Sequence, residues 1–261
     1  AGMGACASPT RGLVAGGYDT PGNHNIIDFI TIATLGEAQN FGDLTDDPNS
    51  LTGCSNSTRG LFGGGQNPSN VDVIAYVTIA TEGNAIDFGD LAHGGNNGRI
   101  DYLGACASEI RGVFGGGQTP TKINTIQFVT IATTGNTTDF GDLTNDSYQG
   151  TAGSNAVRAL GGAGSINNAG DQTTLMQYVT IATLGNAQEF GDLAQNHLEC
   201  GEGACSPTRI VIPGSFSSNN NPSDTIEYAQ IMTLGDFIDF GNLTTNNNGT
   251  SGGSNGHGGL G

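Results

Sequence analysis

One segment of this sequence is written five times, and that repetition limits the folds open to the chain more than any other feature. The copies are "ITIATLGEAQNFGDL" (30–44), "VTIATEGNAIDFGDL" (77–91), "VTIATTGNTTDFGDL" (129–143), "VTIATLGNAQEFGDL" (179–193) and "AQIMTLGDFIDFGNL" (229–243). Their phenylalanines, Phe41, Phe88, Phe140, Phe190 and Phe240, lie 47, 52, 50 and 50 residues apart. A second motif precedes each copy, as in "TRGLFGGG" (58–65), and places Arg11, Arg59, Arg111, Arg158 and Arg209 at one repeat position. Only two basic residues, Arg99 and Lys122, fall elsewhere.

Within a unit the pattern predicts strands. "VTIAT" is β-branched and alternates with period two, and "EGN" or "TGN" supplies turn residues before "AIDFGDL". "RGLFGGG" predicts a strand ended by glycines, and the small-residue segments "LTGCSN" (51–56) and "LGACAS" (103–108) predict another before the arginine. Four short antiparallel strands per repeat of about 50 residues is the signature of a propeller blade. The expected fold is therefore all-β, a five-bladed β-propeller built from units at about 1–50, 51–98, 99–150, 151–199 and 200–243. The remainder, 244–261, contains "TSGGSNGHGGLG" (250–261), which aligns with the first-strand segment "TAGSNAVRALGG" (151–162). That tail could close the ring, donate a strand to a neighbour or continue a longer array, and the sequence leaves the three open.

Length variation points to a functional face. Twelve residues separate the third-strand aromatic from the fourth-strand Phe in all five copies, whereas the distance from the arginine to that aromatic runs 18, 17, 17, 20 and 19. Variation thus collects in the second-to-third loops and the inter-repeat links, which share one face of an up-and-down blade. Binding residues tend to lie on loops held by a rigid scaffold. His93, Arg99, Tyr102, Tyr148 and His197, all in the links, are the candidate binding residues.

A repeated arginine in a chain with 24 acidic residues suggests a structural charge. The aspartate of "FGD", present as Asp43, Asp90, Asp142 and Asp192, is its expected partner, since a guanidinium bridges carboxylates and carbonyls at once.

Other chemistries find little support. A net charge of −17 repels phosphate backbones and anionic lipid, which argues against nucleic-acid partners and membrane attachment. No apolar run reaches membrane-spanning length, and the opening "AGMGACAS" does not read as a signal peptide. Nucleophile elbows, zincin helices and paired metal-ligand spacings are not visible, so no catalytic residue, metal site or cofactor is expected. Oxygen-rich links such as "TDDPNS" (45–50) could hold calcium, although such residues favour turns in any case.

The double glycine Gly64–Gly65, followed by Tyr76 and then Phe88, resembles the kelch motif over nearly the whole chain, with Phe where kelch blades usually carry Trp. "TRGxFGGG" combined with "YVTIATxGNAxDFGDL" is also similar to repeat segments of large phage virion proteins. The first resemblance implies a kelch-like propeller. The second implies a non-enzymatic structural or adhesive module of a virion appendage, in a virion or extracellular setting. Its expected partners are other virion proteins, further copies of itself, or a host surface glycan or protein. A protein-interaction propeller in a non-viral setting and a glycan-active enzyme are the alternatives.

Overall fold

The computed structural model describes residues 2–67, 71–92, 100–119, 121–166, 171–196, 203–214, 221–247, 250 and 252–254. It is all-β, with five four-stranded antiparallel sheets arranged as a five-bladed propeller. Blade 1 contains β1 (Gly4–Ala7), β2 (Arg11–Ala15), a small hairpin of β3 (Tyr18–Asp19) and β4 (Gly22–Asn23), then β5 (Ile26–Thr31) and β6 (Gln39–Asp43). Blade 2 is β7 (Thr52–Ser55), β8 (Arg59–Gly63), β9 (Val73–Thr78) and β10 (Ile86–Asp90). Blade 3 is β11 (Gly104–Ala107), β12 (Arg111–Gly115), β13 (Thr125–Thr130) and β14 (Thr138–Asp142). Blade 4 is β15 (Thr151–Ser154), β16 (Arg158–Ile166), β17 (Asp171–Thr180) and β18 (Gln188–Asp192). Blade 5 is β19 (Ala204–Cys205), β20 (Arg209–Ile212), β21 (Ser223–Gln230) and β22 (Ile238–Asn247).

A single blade is too thin to bury both of its faces, so the apolar core lies between blades. Leu13, Phe29 and Phe41 of blade 1 cluster with Phe62, Val77 and Ile79 of blade 2. The same arrangement joins blades 2 and 3 through Phe88, Phe114 and Ile131, blades 3 and 4 through Phe140, Val179 and Ile181, and blades 4 and 5 through Phe190, Ile212 and Ile231. A bulge aims each fourth-strand Phe at the next blade: pairing of β13 with β14 runs Ile126↔Gly141 then Gln127↔Asp139, which skips Phe140. Innermost strands stack in order, β1 on β7, β7 on β11, β11 on β15 and β15 on β19. Their small residues are needed for this approach, since a Cβ on Gly53 would lie 2.5 Å from the Ala5 carbonyl oxygen. Among the described residues no comparable packing joins β19 to β1, and Phe240 of blade 5 and Ile32 of blade 1 stay exposed, which marks a seam between these blades.

The repeated turn is not the tight hairpin that the sequence suggests. Phe128 already pairs with Thr138 and β13 ends at Thr130, which leaves residues 131–137 as a wide excursion that bonds to the preceding blade through Gly135 N and Thr137 N. At the junction of blades 3 and 4 the corresponding excursion donates from Gly185 N to Phe140 O (2.9 Å) and from Ala187 N to Asp142 O (2.8 Å), while the Asn186 side chain accepts from Asp142 N (3.1 Å). This three-bond clasp recurs at all four junctions, with Asp236 in place of Asn at the last. "GNA" and "FGD" are thus the two halves of one joint, which accounts for their invariant spacing.

One junction is imperfectly filled. Three residues after the arginine, Phe62 and Phe114 pack back onto the preceding blade, but blade 4 carries Gly161 there. A cavity of about 50 Å³ results between blades 3 and 4, lined by Val113, Ile126, Leu143, Gly161 and Gln177. A Cβ at Gly161 would meet Thr151 O at 3.6 Å and Ala152 Cβ at 3.9 Å, which are ordinary contacts. Gly161→Val is therefore expected to stabilise by about 1–2 kcal/mol through filled space and lost backbone freedom in the unfolded chain. A melting temperature at or below that of the parent would show the space to be closed by other movements.

Candidate functional site

Links and second-to-third loops share one face in blades 2 to 4, because there the link pairs with the loop that follows it. Asn49 and Gln66 exchange backbone hydrogen bonds at 2.9 and 2.7 Å, Asp101 and Gln118 at 3.1 and 3.0 Å, and Tyr148 and Ser165 at 3.1 and 2.9 Å. The links are also tied to one another. Ser50 N donates to Gly2 O, Tyr102 N to Ser50 O and Gln149 N to Tyr102 O, so one repeat position of the first four units forms a chain across the blades. Ser50, Tyr102 and Gln149 all hold positive φ there, at 57°, 53° and 58°. For a residue as bulky as tyrosine that conformation is uncommon and is held by its surroundings.

This scaffold brings together two of the candidate residues. The Tyr102 and Tyr148 rings meet edge to face with centroids 5.0 Å apart. Lys122 joins them, its ammonium 5.6 Å from the Tyr148 ring centroid and donating to Ser165 Oγ at 2.6 Å. Burial lowers the Lys122 pKa, while Asp171 and Asp146 act in the opposite sense. The result is a half-buried aromatic pair with a cationic donor beside it, a surface suited to stacking on a ring and donating to hydroxyl or carboxylate oxygens. The sequence marked Lys122 only as a basic residue outside the repeat position. His93, Arg99 and His197 lie outside the described residues.

The arginines do not pair with the aspartates as the sequence suggested. Arg111 pairs across the sheet with Thr130 at one end of β13, and Asp142 pairs with Thr125 at the other. At ~3.4 Å per residue those positions are roughly 17 Å apart along the strand, far beyond ion-pair reach. Each guanidinium instead lies over the aromatic ring of its own blade: Arg11 over Phe29, Arg59 over Tyr76, Arg111 over Phe128, Arg158 over Tyr178 and Arg209 over Tyr228, at 4.3–5.1 Å. The first four also reach the next blade, donating to the carbonyls of Ile79, Ile131, Ile181 and Ile231 at 2.7–3.2 Å. Asp43, Asp90, Asp142 and Asp192 serve through their backbone in the clasp. Asp90 has its pKa raised, by burial first and then by Asp72 and Asp87.

Little else on the described surface suggests chemistry. His24 and Asp19 form an exposed pair at 2.6 Å on the β3–β4 hairpin. Burial pushes the Cys205 thiol up to about 12, which leaves it protonated and a poor nucleophile. Among the described residues no three His, Cys, Asp or Glu side chains converge as a metal site would require. Among the described residues no helix is long and apolar enough to cross a membrane. The chain matches no protein-family model and no curated protein.

Proposed function

We propose that this protein is a non-enzymatic structural and adhesive module, which presents its link face to a host surface ligand. A propeller of this kind fits an interaction module in general. The observation that carries the reading is the division of labour between the faces of the blades. The invariant motifs are consumed by the clasp and the arginine bridge, whereas the length-variable links carry the Tyr102, Tyr148 and Lys122 cluster. An aromatic pair beside an ammonium suits an acidic or hydroxyl-rich glycan. The kelch-like and virion-like wording of the repeats supports a place in a virion appendage, where the other partners are virion proteins. The alternatives, a soluble protein partner in a non-viral setting and a glycan-active enzyme, make different demands.

A glycan array with the purified chain, followed by mass analysis of the bound sugar, separates them. The proposal expects a bound glycan recovered intact, and Tyr148→Ala lowering its affinity at least about tenfold with little change in melting temperature. Cleaved sugar would establish an enzyme instead. No glycan bound alongside capture of a soluble protein would favour the non-viral reading.

A further inference from the structure

We propose that copies of this protein associate head to tail, with blade 1 of one copy on blade 5 of the next, by the same interface that joins blades within the chain. Each internal junction buries the fourth-strand Phe of one blade under the third strand of the next. Phe41, Phe88, Phe140 and Phe190 are 3% exposed or less, but Phe240 of blade 5 is 55% exposed. The opposite half of the joint is open on blade 1. Ile32 is 45% exposed where its equivalents Ile79, Ile131, Ile181 and Ile231 are 1% or less, and Val14 is 41% exposed where Phe62 is 2%.

The polar half of the joint is likewise split between the two ends. A Cβ on Gly141 would lie 2.6 Å from the Gly185 carbonyl oxygen of the next blade, whereas one on Gly241 would meet nothing within 4 Å. Phe240 and Asn242 therefore present the carbonyl positions that the clasp uses elsewhere, and Gly36 and Ala38 of blade 1 stand at the matching donor positions. Arg209 stands ready for the Ile32 carbonyl as Arg158 serves that of Ile231. The two halves lie on different blades of one molecule, so a contact between copies that joins them is heterologous and repeats from copy to copy.

The tail modulates this contact. Ser55 Oγ donates to Ala7 O and Ser154 Oγ to Ala107 O, each from the first strand of one blade to that of the blade before. Ser254 Oγ donates to Cys205 O in the same way, so residues 252–254 lie on blade 5 at the place that the first strand of the next blade takes at the internal junctions. An incoming β1 competes with it for that strip, while β22 and Phe240 stay open. The contact between copies is expected to be weaker than the internal junctions and dependent on concentration.

Sedimentation velocity on the full chain and two variants, Ile32→Glu and Phe240→Glu, tests the proposal. The parent mass should rise with concentration, and each variant alone should stay monomeric at every concentration. An equimolar mixture should then form a species of two chains and no larger, because Ile32→Glu keeps an intact blade 5 and Phe240→Glu an intact blade 1. A parent that stays monomeric, association that survives either substitution, or a mixture that stays monomeric would each overturn it. Both residues are exposed in the monomer, so the variants should melt with the dilute parent. A clear fall in melting temperature would mean that the seam closes within one chain, which also overturns the proposal. Tyr148→Ala should leave the association intact, so this result and that of the glycan array fail independently.

Discussion

Gly141→Ala is expected to destabilise the propeller by about 3–5 kcal/mol, which combines strain at a forbidden φ with overlap at a packed joint. Gly141 sits at φ 147°, and its Cβ would fall 2.6 Å from both the carbonyl carbon and oxygen of Gly185. Neither side can move away cheaply, because the flanking bonds from Gly185 N to Phe140 O and from Ala187 N to Asp142 O fix the two backbones face to face. At about 2–4 °C per kcal/mol for a chain of this size, the melting temperature should fall by roughly 6–20 °C. Gly241→Ala supplies the control within the same repeat position. Gly241 has φ 142° but meets nothing within 4 Å, so only the backbone term of about 1–2 kcal/mol remains. Equal losses in thermal melts of the two variants would mean that the clasp contributes nothing and that glycine is required by the bulge alone.

That contrast also shows where the sequence was informative. Strand positions were legible in part: the small-residue segments became β7 and β11, whose glycines admit close approach, whereas of the β-branched run 129–133 only Val129 and Thr130 belong to β13 and the rest forms a turn. The variable face was legible too, since length changes survive only where no ladder constrains them, and the Asn49↔Gln66 and Tyr148↔Ser165 bridges place link and loop together. The clasp was hidden by periodicity itself. When every feature recurs once per unit, "GNA" joining "FGD" in the blade before looks the same as a tight turn within one blade. The seam was hidden for a related reason, because Phe240 is the same residue type as Phe190 and only its neighbours in space, not its identity, make one 55% exposed and the other 3%.

The candidate site was half legible. Tyr102 and Tyr148 stood out as aromatics in variable links, and the backbone bond from Gln149 N to Tyr102 O explains how two links from different units come together. Lys122 belongs to the loop between β12 and β13, which folds over so that its ammonium reaches Ser165 of the next blade. Nothing in the spacing of residues 122 and 165 announces that contact, since it depends on how adjacent blades are set side by side.

Arg111→Ala is expected to cost about 3–4 kcal/mol, the sum of a ring contact and a charge-assisted hydrogen bond that crosses a blade junction. Register puts the guanidinium over the ring: Arg111 pairs with Thr130 and Val113 with Phe128, so Arg111 and Phe128 are diagonal neighbours on one face, with the guanidinium carbon 4.6 Å from the ring centroid. From there it donates to Ile181 O of blade 4 at 2.7 Å, an acceptor that truncation would strand in a packed joint. Lysine has neither the planar fork nor the flat face, so Arg111→Lys should recover less than half of the loss. Arg209 separates the two contributions. It lies over Tyr228 at 5.1 Å, and its Nε lies 3.0 Å from the Gln230 side-chain amide, which accepts with its O and N exchanged, but among the described residues no carbonyl of another blade accepts from it. Arg209→Ala, melted at a dilution where copies do not associate, should therefore cost only about 1 kcal/mol. If the two alanine variants lose the same stability, the bridge between blades is worth nothing and the arginine serves its own sheet alone. If Asp142→Asn destabilises as much as Arg111→Ala, the ion pair suggested by the sequence forms after all, and the geometry of the joint has been misjudged.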